Sequence, residues 1–136
     1  MQSENTVFVD KETVLSAVSS GRPSIIDALQ ADHYSGKSPV WVDRPGHIES
    51  AKNLPFDEIV DDTTQAYLPP KRLAAALEKR GLTTSDPVIS YCHAGNAASS
   101  VAFAMALMGY ERVSIYDASL REWAADPKLP MRSLAT

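Results

Sequence analysis

The stretch that most constrains this chain is Val88-Ile89-Ser90-Tyr91-Cys92-His93-Ala94-Gly95-Asn96-Ala97-Ala98-Ser99-Ser100. It reads as a buried strand, a loop of small residues, and then a helix. The sole cysteine of the chain opens the loop, and Gly95 sits in its middle. That combination suits a backbone that curls tightly with its N–H groups turned inward. The helix that follows presents its own unpaired N–H groups and its positive dipole end to the same point. A thiol placed there ionises more easily than a free cysteine, whose pKa is about 8.5, and the thiolate is the reactive form. These residues point to Cys92 as a nucleophile in an anion-binding cradle. The alternative is a small buried hydrophobe after an apolar strand. That role needs neither the glycine nor the run of small residues leading into a helix.

The rest of the chain alternates strands with helices. Thr6 to Val9 reads as an edge strand. Asp10 caps a helix carrying Val14, Leu15 and Val18, which Gly21 and Pro23 stop. Ser24 to Asp27 is a compact buried strand. Residues 30 to 47 read as an irregular, packed surface loop in which Trp41 either packs on the core or walls a pocket. Ile48, Ala51 and Leu54 suggest a turn into a short strand, followed by a helical turn around Asp57 to Val60. Pro70 opens a helix with Leu73 and Leu77 on one face, ending at Gly81. The helix Ala98 to Met108 is apolar on most sides, so deep burial is expected. Gly109 ends it. Val113 to Tyr116 is a strand, and Asp117 to Trp123 begins a last helical turn capped by Asp117 or Ser119. The tail with Pro127 and Pro130 reads as irregular. This order predicts an α/β fold: a central parallel sheet with helices on both faces, and Cys92 just past the C-terminal end of a strand, where such folds place their sites.

Composition excludes several classes. A length of 136 residues is that of one ordinary domain, and 44% hydrophobic with 22% charged residues fits a globular chain. A net charge of −4 gives no support to nucleic-acid or anionic-membrane binding. No apolar run approaches the roughly 18 residues needed to span a bilayer. Residues 1 to 6 lack the pattern of a signal peptide. One cysteine forms no internal disulfide, which makes a reducing cytoplasm the expected location. Three histidines and one cysteine are too scattered for a closed zinc site. Asp27, at the end of its strand, is expected to hold a backbone N–H or cap the next turn rather than do chemistry. His47 has no partner at ligand spacing and is expected to be a structural hydrogen-bonding residue.

Cys92-His93-Ala94-Gly95-Asn96-Ala97-Ala98 resembles the active loop of rhodanese-type sulfurtransferases, a Cys-x-x-Gly-x-x-Ala pattern between strand and helix. Gly46-His47-Ile48 with Ala51, Asn53, Leu54 and Pro55 resembles a second signature of that family. Ile25-Ile26-Asp27, Gly109-Tyr110, and Tyr116-Asp117-Ala118-Ser119 with Trp123 resemble others. The motifs run in the family's order from about Val9 to Met131. The resemblance implies a rhodanese-like domain over residues 1–136. It implies that Cys92 takes a sulfane sulfur from a small donor, of thiosulfate or 3-mercaptopyruvate type, as a persulfide. A thiol or cyanide then accepts the sulfur. It also implies that His93, Ala94, Gly95, Asn96, Ala97 and Ala98 contact the substrate, with no metal and no organic cofactor. Inward N–H groups and a helix dipole would stabilise a thiolate, a persulfide and an oxyanion leaving group alike.

Three departures bear on function. Asp27 is followed by Ala28 and Leu29, where the family often has an arginine two residues on. His93 and Ala94 stand where thiosulfate users often carry basic residues, so thiosulfate turnover is expected to be weak and donor preference stays open. Arg44, Lys52 and Arg121 are candidates for a positive rim. The tail near Met131 resembles the end of one unit of a tandem chain, leaving a second rhodanese-like domain open as a partner. A non-catalytic interaction or sensing module on the same fold is the competing reading. A cysteine-based phosphatase or arsenate reductase ranks last, because Ala97-Ala98 stands where the related phosphatase chemistry needs a bidentate arginine.

Overall fold

The computed structural model describes residues 7–37, 44, 46–61, 63–64, 66–92 and 96–133. In chain order they form β1 (Val7–Phe8), α1 (Lys11–Ser20), β2 (Ser24–Asp27), α2 (Ala31–Ser35), β3 (His47–Ile48) and β4 (Lys52–Asn53). A 3-10 turn at Phe56–Glu58 leads to α3 (Pro70–Lys79), β5 (Val88–Tyr91), α4 (Asn96–Leu107), β6 (Val113–Ile115), α5 (Ser119–Ala125) and β7 (Met131–Arg132). Five strands make one sheet in the order β1-β6-β5-β2-β4, and every pair in it is parallel. The expected α/β architecture with a central parallel sheet is therefore present.

Alternation along the strands sorts the core onto two faces. Ile26, Val88, Val113 and Ile115 point to one face, where Leu73 and Leu77 of α3 and Val101 and Met105 of α4 pack on them. Ile25, Ile89 and Tyr91 point to the other, against Val14 and Ala17 of α1 and Leu120, Trp123 and Ala124 of α5. β5 lies in the middle of the sheet and all four of its residues are buried. A central strand without a solvent face has no reason to alternate polar with apolar, which is why Val88 to Tyr91 reads as a continuous run.

The local signals explain most element ends. Asp10 accepts the N–H of Thr13 as an N-cap, and Gly21 closes α1 at φ 84°. Helix α4 begins at Asn96, two residues before the expected Ala98, and is buried along Val101, Ala102, Ala104 and Met105, while Leu107 is exposed.

Two short segments were not foreseen. Residues 30 to 47 contain the helix α2, and the tail contains β7, which pairs antiparallel with β3 through His47–Arg132 and Ile48–Met131. That pairing explains Gly46. At its φ of 110°, a Cβ would lie 2.3 Å from the carbonyl oxygen of Arg132, so the crossing tail admits only glycine. Trp41 lies outside the described residues.

Candidate active site

β5 delivers Cys92 to the C-terminal edge of the sheet, between the ends of β2 and β6. Its residue is 3% exposed and packs in the same cluster as Ala28 and Ala98. The peptide group joining Tyr91 to Cys92 is pinned along both edges. Its carbonyl, from Tyr91, accepts the N–H of Ala28 at 2.8 Å. Its N–H, on Cys92, donates to Ser119 Oγ at 3.1 Å. The carbonyl of Cys92 accepts the N–H of Leu120 at 2.9 Å. One residue back, the Ser90 hydroxyl donates to the Ala98 carbonyl at 3.0 Å, tying the strand to the first turn of α4. The chain on both sides of the loop is thus fixed by hydrogen bonds to separate elements.

Ser119 does not act as the expected N-cap. Ala118 occupies that position with no side-chain cap, and Ser119 takes φ 57° while fully buried. A left-handed conformation disfavours a residue with a Cβ. It turns the hydroxyl inward, where it donates to the Tyr116 carbonyl at 2.8 Å and accepts from Cys92. Serine is common at helix starts and in turns, so sequence alone does not separate the two roles.

On the opposite flank, Asp27 is fully buried. Its Oδ1 accepts the N–H of Leu29 at 2.8 Å, the turn-organising role expected of it. Its Oδ2 accepts the phenol hydrogen of Tyr91 at 2.6 Å. The Tyr91 oxygen in turn accepts the N–H of Ile48 at 2.9 Å. Burial raises the Asp27 carboxyl to about 7, against the two hydrogen bonds that favour its charged form. Tyr91 is pushed above the usual tyrosine range, by burial first and then by the Asp27 charge. In sequence Tyr91 is one more strand residue, because its polar partner Asp27 lies 64 positions upstream.

His47 is 3% exposed, stacks on Tyr34 with ring centroids 3.7 Å apart, and shares a 2.7 Å hydrogen bond between Nδ1 and the Tyr34 carbonyl. It is the structural residue expected. Burial lowers its pKa, so the neutral ring is favoured. The Tyr34 hydroxyl donates to the Ala51 carbonyl, and Asn53 Nδ2 donates to the carbonyls of Asp27 and Leu29. This polar seam joins α2, β3 and β4 to the end of β2.

Two of the three candidate rim cations are committed elsewhere. Arg44 donates to the carbonyls of Trp123, Ala124, Asp126 and Leu129 and so clamps the C-terminal end of α5. Lys52 Nζ donates to the Arg80 carbonyl at 2.7 Å, at the end of α3. Arg121 is exposed in the first turn of α5, next to the Leu120 N–H that binds Cys92. Among the predicted loop residues, Ala97 is half-buried and Ala98 buried in the first turn of α4, while Asn96 starts that helix. His93, Ala94 and Gly95 lie outside the described residues. Among the described residues no group of three or more His, Cys, Asp or Glu is placed to hold a metal ion. No helix among them is long and apolar enough to cross a membrane.

Residues 10–126 match the family described as the rhodanese-like domain. The chain belongs to the rhodanese family. It is 33% identical over 108 residues to thiosulfate/3-mercaptopyruvate sulfurtransferase 2 of Arabidopsis thaliana, covering 78% of this chain and 31% of that protein. It is 32% identical over 131 residues to the 3-mercaptopyruvate sulfurtransferase of Escherichia coli O157:H7, covering 89% and 43%. The fold is that of the Tum1 protein from Saccharomyces cerevisiae, with a TM-score of 0.81 and 26% identity over 96% of this chain and 47% of that one. The rhodanese-like chain therefore spans less than half the length of these relatives.

Proposed function

We propose that this rhodanese-like domain is a sulfurtransferase that carries a sulfane sulfur on Cys92. The observation that supports this most directly is the position of Cys92. It directly follows the central strand of the sheet, its peptide group is pinned on both edges, and a twelve-residue helix starts four residues later. A residue that served only as apolar filling would not need that fastening. The names of the relatives supply the substrate class.

The Cys92 thiolate attacks the outer sulfur of the donor. With thiosulfate, the new S–S bond forms as the donor's S–S bond breaks, and sulfite leaves with that bond's electron pair. With 3-mercaptopyruvate, the C–S bond breaks and the departing carbon takes a proton to give pyruvate. In both cases Cys92 is left as a persulfide. Cyanide or a thiol then attacks the outer sulfur and releases the Cys92 thiolate. His93, Ala94, Gly95, Asn96, Ala97 and Ala98 are assigned to substrate contact on the strength of the motif. On that assignment, N–H groups of the loop and the α4 dipole would offset the charge on the departing oxyanion. Neither step needs a metal or an organic cofactor.

The cytoplasm, a reducing compartment, suits a chemistry that runs through a thiol kept reduced. The greater length of the relatives supports a second rhodanese-like unit as partner, contributing donor contacts. The test is intact-protein mass spectrometry after incubation with thiosulfate and, separately, with 3-mercaptopyruvate. The expected gain is one sulfur, about 32 Da, removed by cyanide and absent in Cys92→Ala. No gain with either donor would favour a non-catalytic module on this fold, or a domain that needs its partner unit for donor contacts.

A further inference from the structure

Asp27 is a buried carboxyl without a cation partner: among the described residues no ion pair includes it. Its partners are the Leu29 N–H and the Tyr91 phenol. The 2.6 Å contact to Tyr91 lies at the short end of the O–H···O range, where a charged acceptor makes the stronger bond. Burying such a charge destabilises a fold, and an amide or an apolar residue would avoid the cost. Costly buried ionisable groups concentrate at sites of function. The hydrogen bond made by this one ends on the residue directly before Cys92.

We propose that Asp27 is a positioning residue for Cys92, acting through the Tyr91 phenol, and that its ionised form holds the end of β5 in the geometry competent for sulfur transfer. The inference rests on the reading of Cys92 as the sulfur carrier. The path is short. Asp27 and Tyr91 face each other in the β2–β5 register. The next residue on β2, Ala28, donates its N–H to the Tyr91 carbonyl. The Tyr91 ring end is held between Asp27 Oδ2 and the Ile48 N–H. Protonation of Asp27 weakens this arrangement. A neutral carboxyl accepts less strongly than a carboxylate, and its added O–H needs an acceptor of its own. A proton on Oδ2 competes with the phenol hydrogen, and a proton on Oδ1 competes with the Leu29 N–H.

The groups that face this carboxyl can be named. From β5 comes Tyr91, and from α2 comes Tyr34, whose own ionisation the Asp27 charge disfavours. From β3 comes His47, stacked on Tyr34, with Arg132 of β7 disfavouring its charged form. From β4 comes the neutral amide of Asn53, bonded to the Asp27 carbonyl. Tyr34 and Tyr91 keep their protons near neutral pH, so the titrations to separate are those of Asp27 and His47.

Two measurements test the proposal. The first follows the backbone amide resonance of residue 92 in Cys92→Ser carrying His93→Gln, where neither the thiol nor the adjacent imidazole titrates, from about pH 5 to about pH 9. A titration near neutral pH is expected, and it should vanish when Asp27→Asn is added. Its persistence without the Asp27 carboxyl would assign it to a histidine and overturn the proposal. This readout needs no turnover, so it stands apart from any failure of the sulfurtransferase reading. The second is the rate of persulfide formation in the full chain. Tyr91→Phe should lower the maximal rate by about ten- to a hundred-fold with the donor KM unchanged, the signature of a misplaced nucleophile. The pH profile of Asp27→Asn should lack one ionisation seen in the wild type. An unchanged rate in Tyr91→Phe, or a loss confined to KM, would sink it.

Discussion

On the β2 side of Cys92 the fastening is ionisable, and on the β6 side it is neutral. Asp27 holds Tyr91 through a buried carboxyl that burial raises to about 7. Ser119 holds the Cys92 N–H through a hydroxyl that does not titrate, at the cost of a left-handed backbone. Both are fully buried and both lie one hydrogen bond from the peptide joining Tyr91 to Cys92 or from its phenol neighbour. The difference separates two ways of fixing a reactive residue. A strained but neutral contact works alike at every pH. A buried charge makes a stronger bond but ties it to proton concentration.

The largest effect that would sharpen this contrast is on stability against pH. The Asp27 carboxyl is raised by burial from its ordinary value to about 7. A carboxyl raised in the folded state favours folding fully below its unfolded value, and that contribution is lost as pH rises through the folded value. Asp27 should therefore cost the wild type up to about 4 kcal/mol between pH 4 and pH 7.5 relative to Asp27→Asn. His47, shifted down by burial, works in the opposite sense in both proteins and cancels in the difference. Urea unfolding of the two proteins at several pH values measures it. Parallel curves would show that Asp27 titrates alike in the folded and unfolded chains.

Next in size is the neutral flank. Ser119→Ala removes the acceptor of the buried Cys92 N–H and the donor to the Tyr116 carbonyl, at a cost of about 1–3 kcal/mol. Ser119→Gly loses the same bonds but suits φ 57°, so it should recover about 0.5–1 kcal/mol of that loss. Neither difference should vary with pH. If Ser119→Gly proved the less stable of the two, the backbone at that position would carry no strain.

The smallest effect concerns the rim. Arg44 and Lys52 are engaged with carbonyls at the ends of α5 and α3, whereas Arg121 is exposed in the α5 turn bonded to Cys92. Arg121→Gln should raise the KM of an anionic donor by less than about ten-fold, with the maximal rate unchanged. The difference should shrink at high salt. A KM insensitive to both the substitution and salt would remove Arg121 from donor recognition.

Much of this was legible in the chain. The strand at Val88–Tyr91, the alternation that gives a parallel sheet, Cys92 at the mouth of a loop, and the bond from Asp27 to the Leu29 N–H follow from local residue chemistry. Those features depend on neighbours within a few positions, where propensity and periodicity carry the information. The short strand β7 has no local signal because Met131 and Arg132 pair with β3, more than eighty residues away in sequence. Arg44 resembles a candidate rim charge in sequence for the same reason: its four carbonyl partners lie about eighty residues downstream.

By itself, then, the sequence determined the fold class and which residue opens the loop, since both rest on short-range patterns of apolar, small and capping residues. Only the tertiary structure decided what surrounds that residue. Ser119 turns inward instead of capping α5, and Tyr91 aims its hydroxyl at Asp27, because strands distant in the chain become neighbours in the sheet. A polar side chain in a buried position must bond to whatever the packing places beside it, and no local pattern records which group that will be.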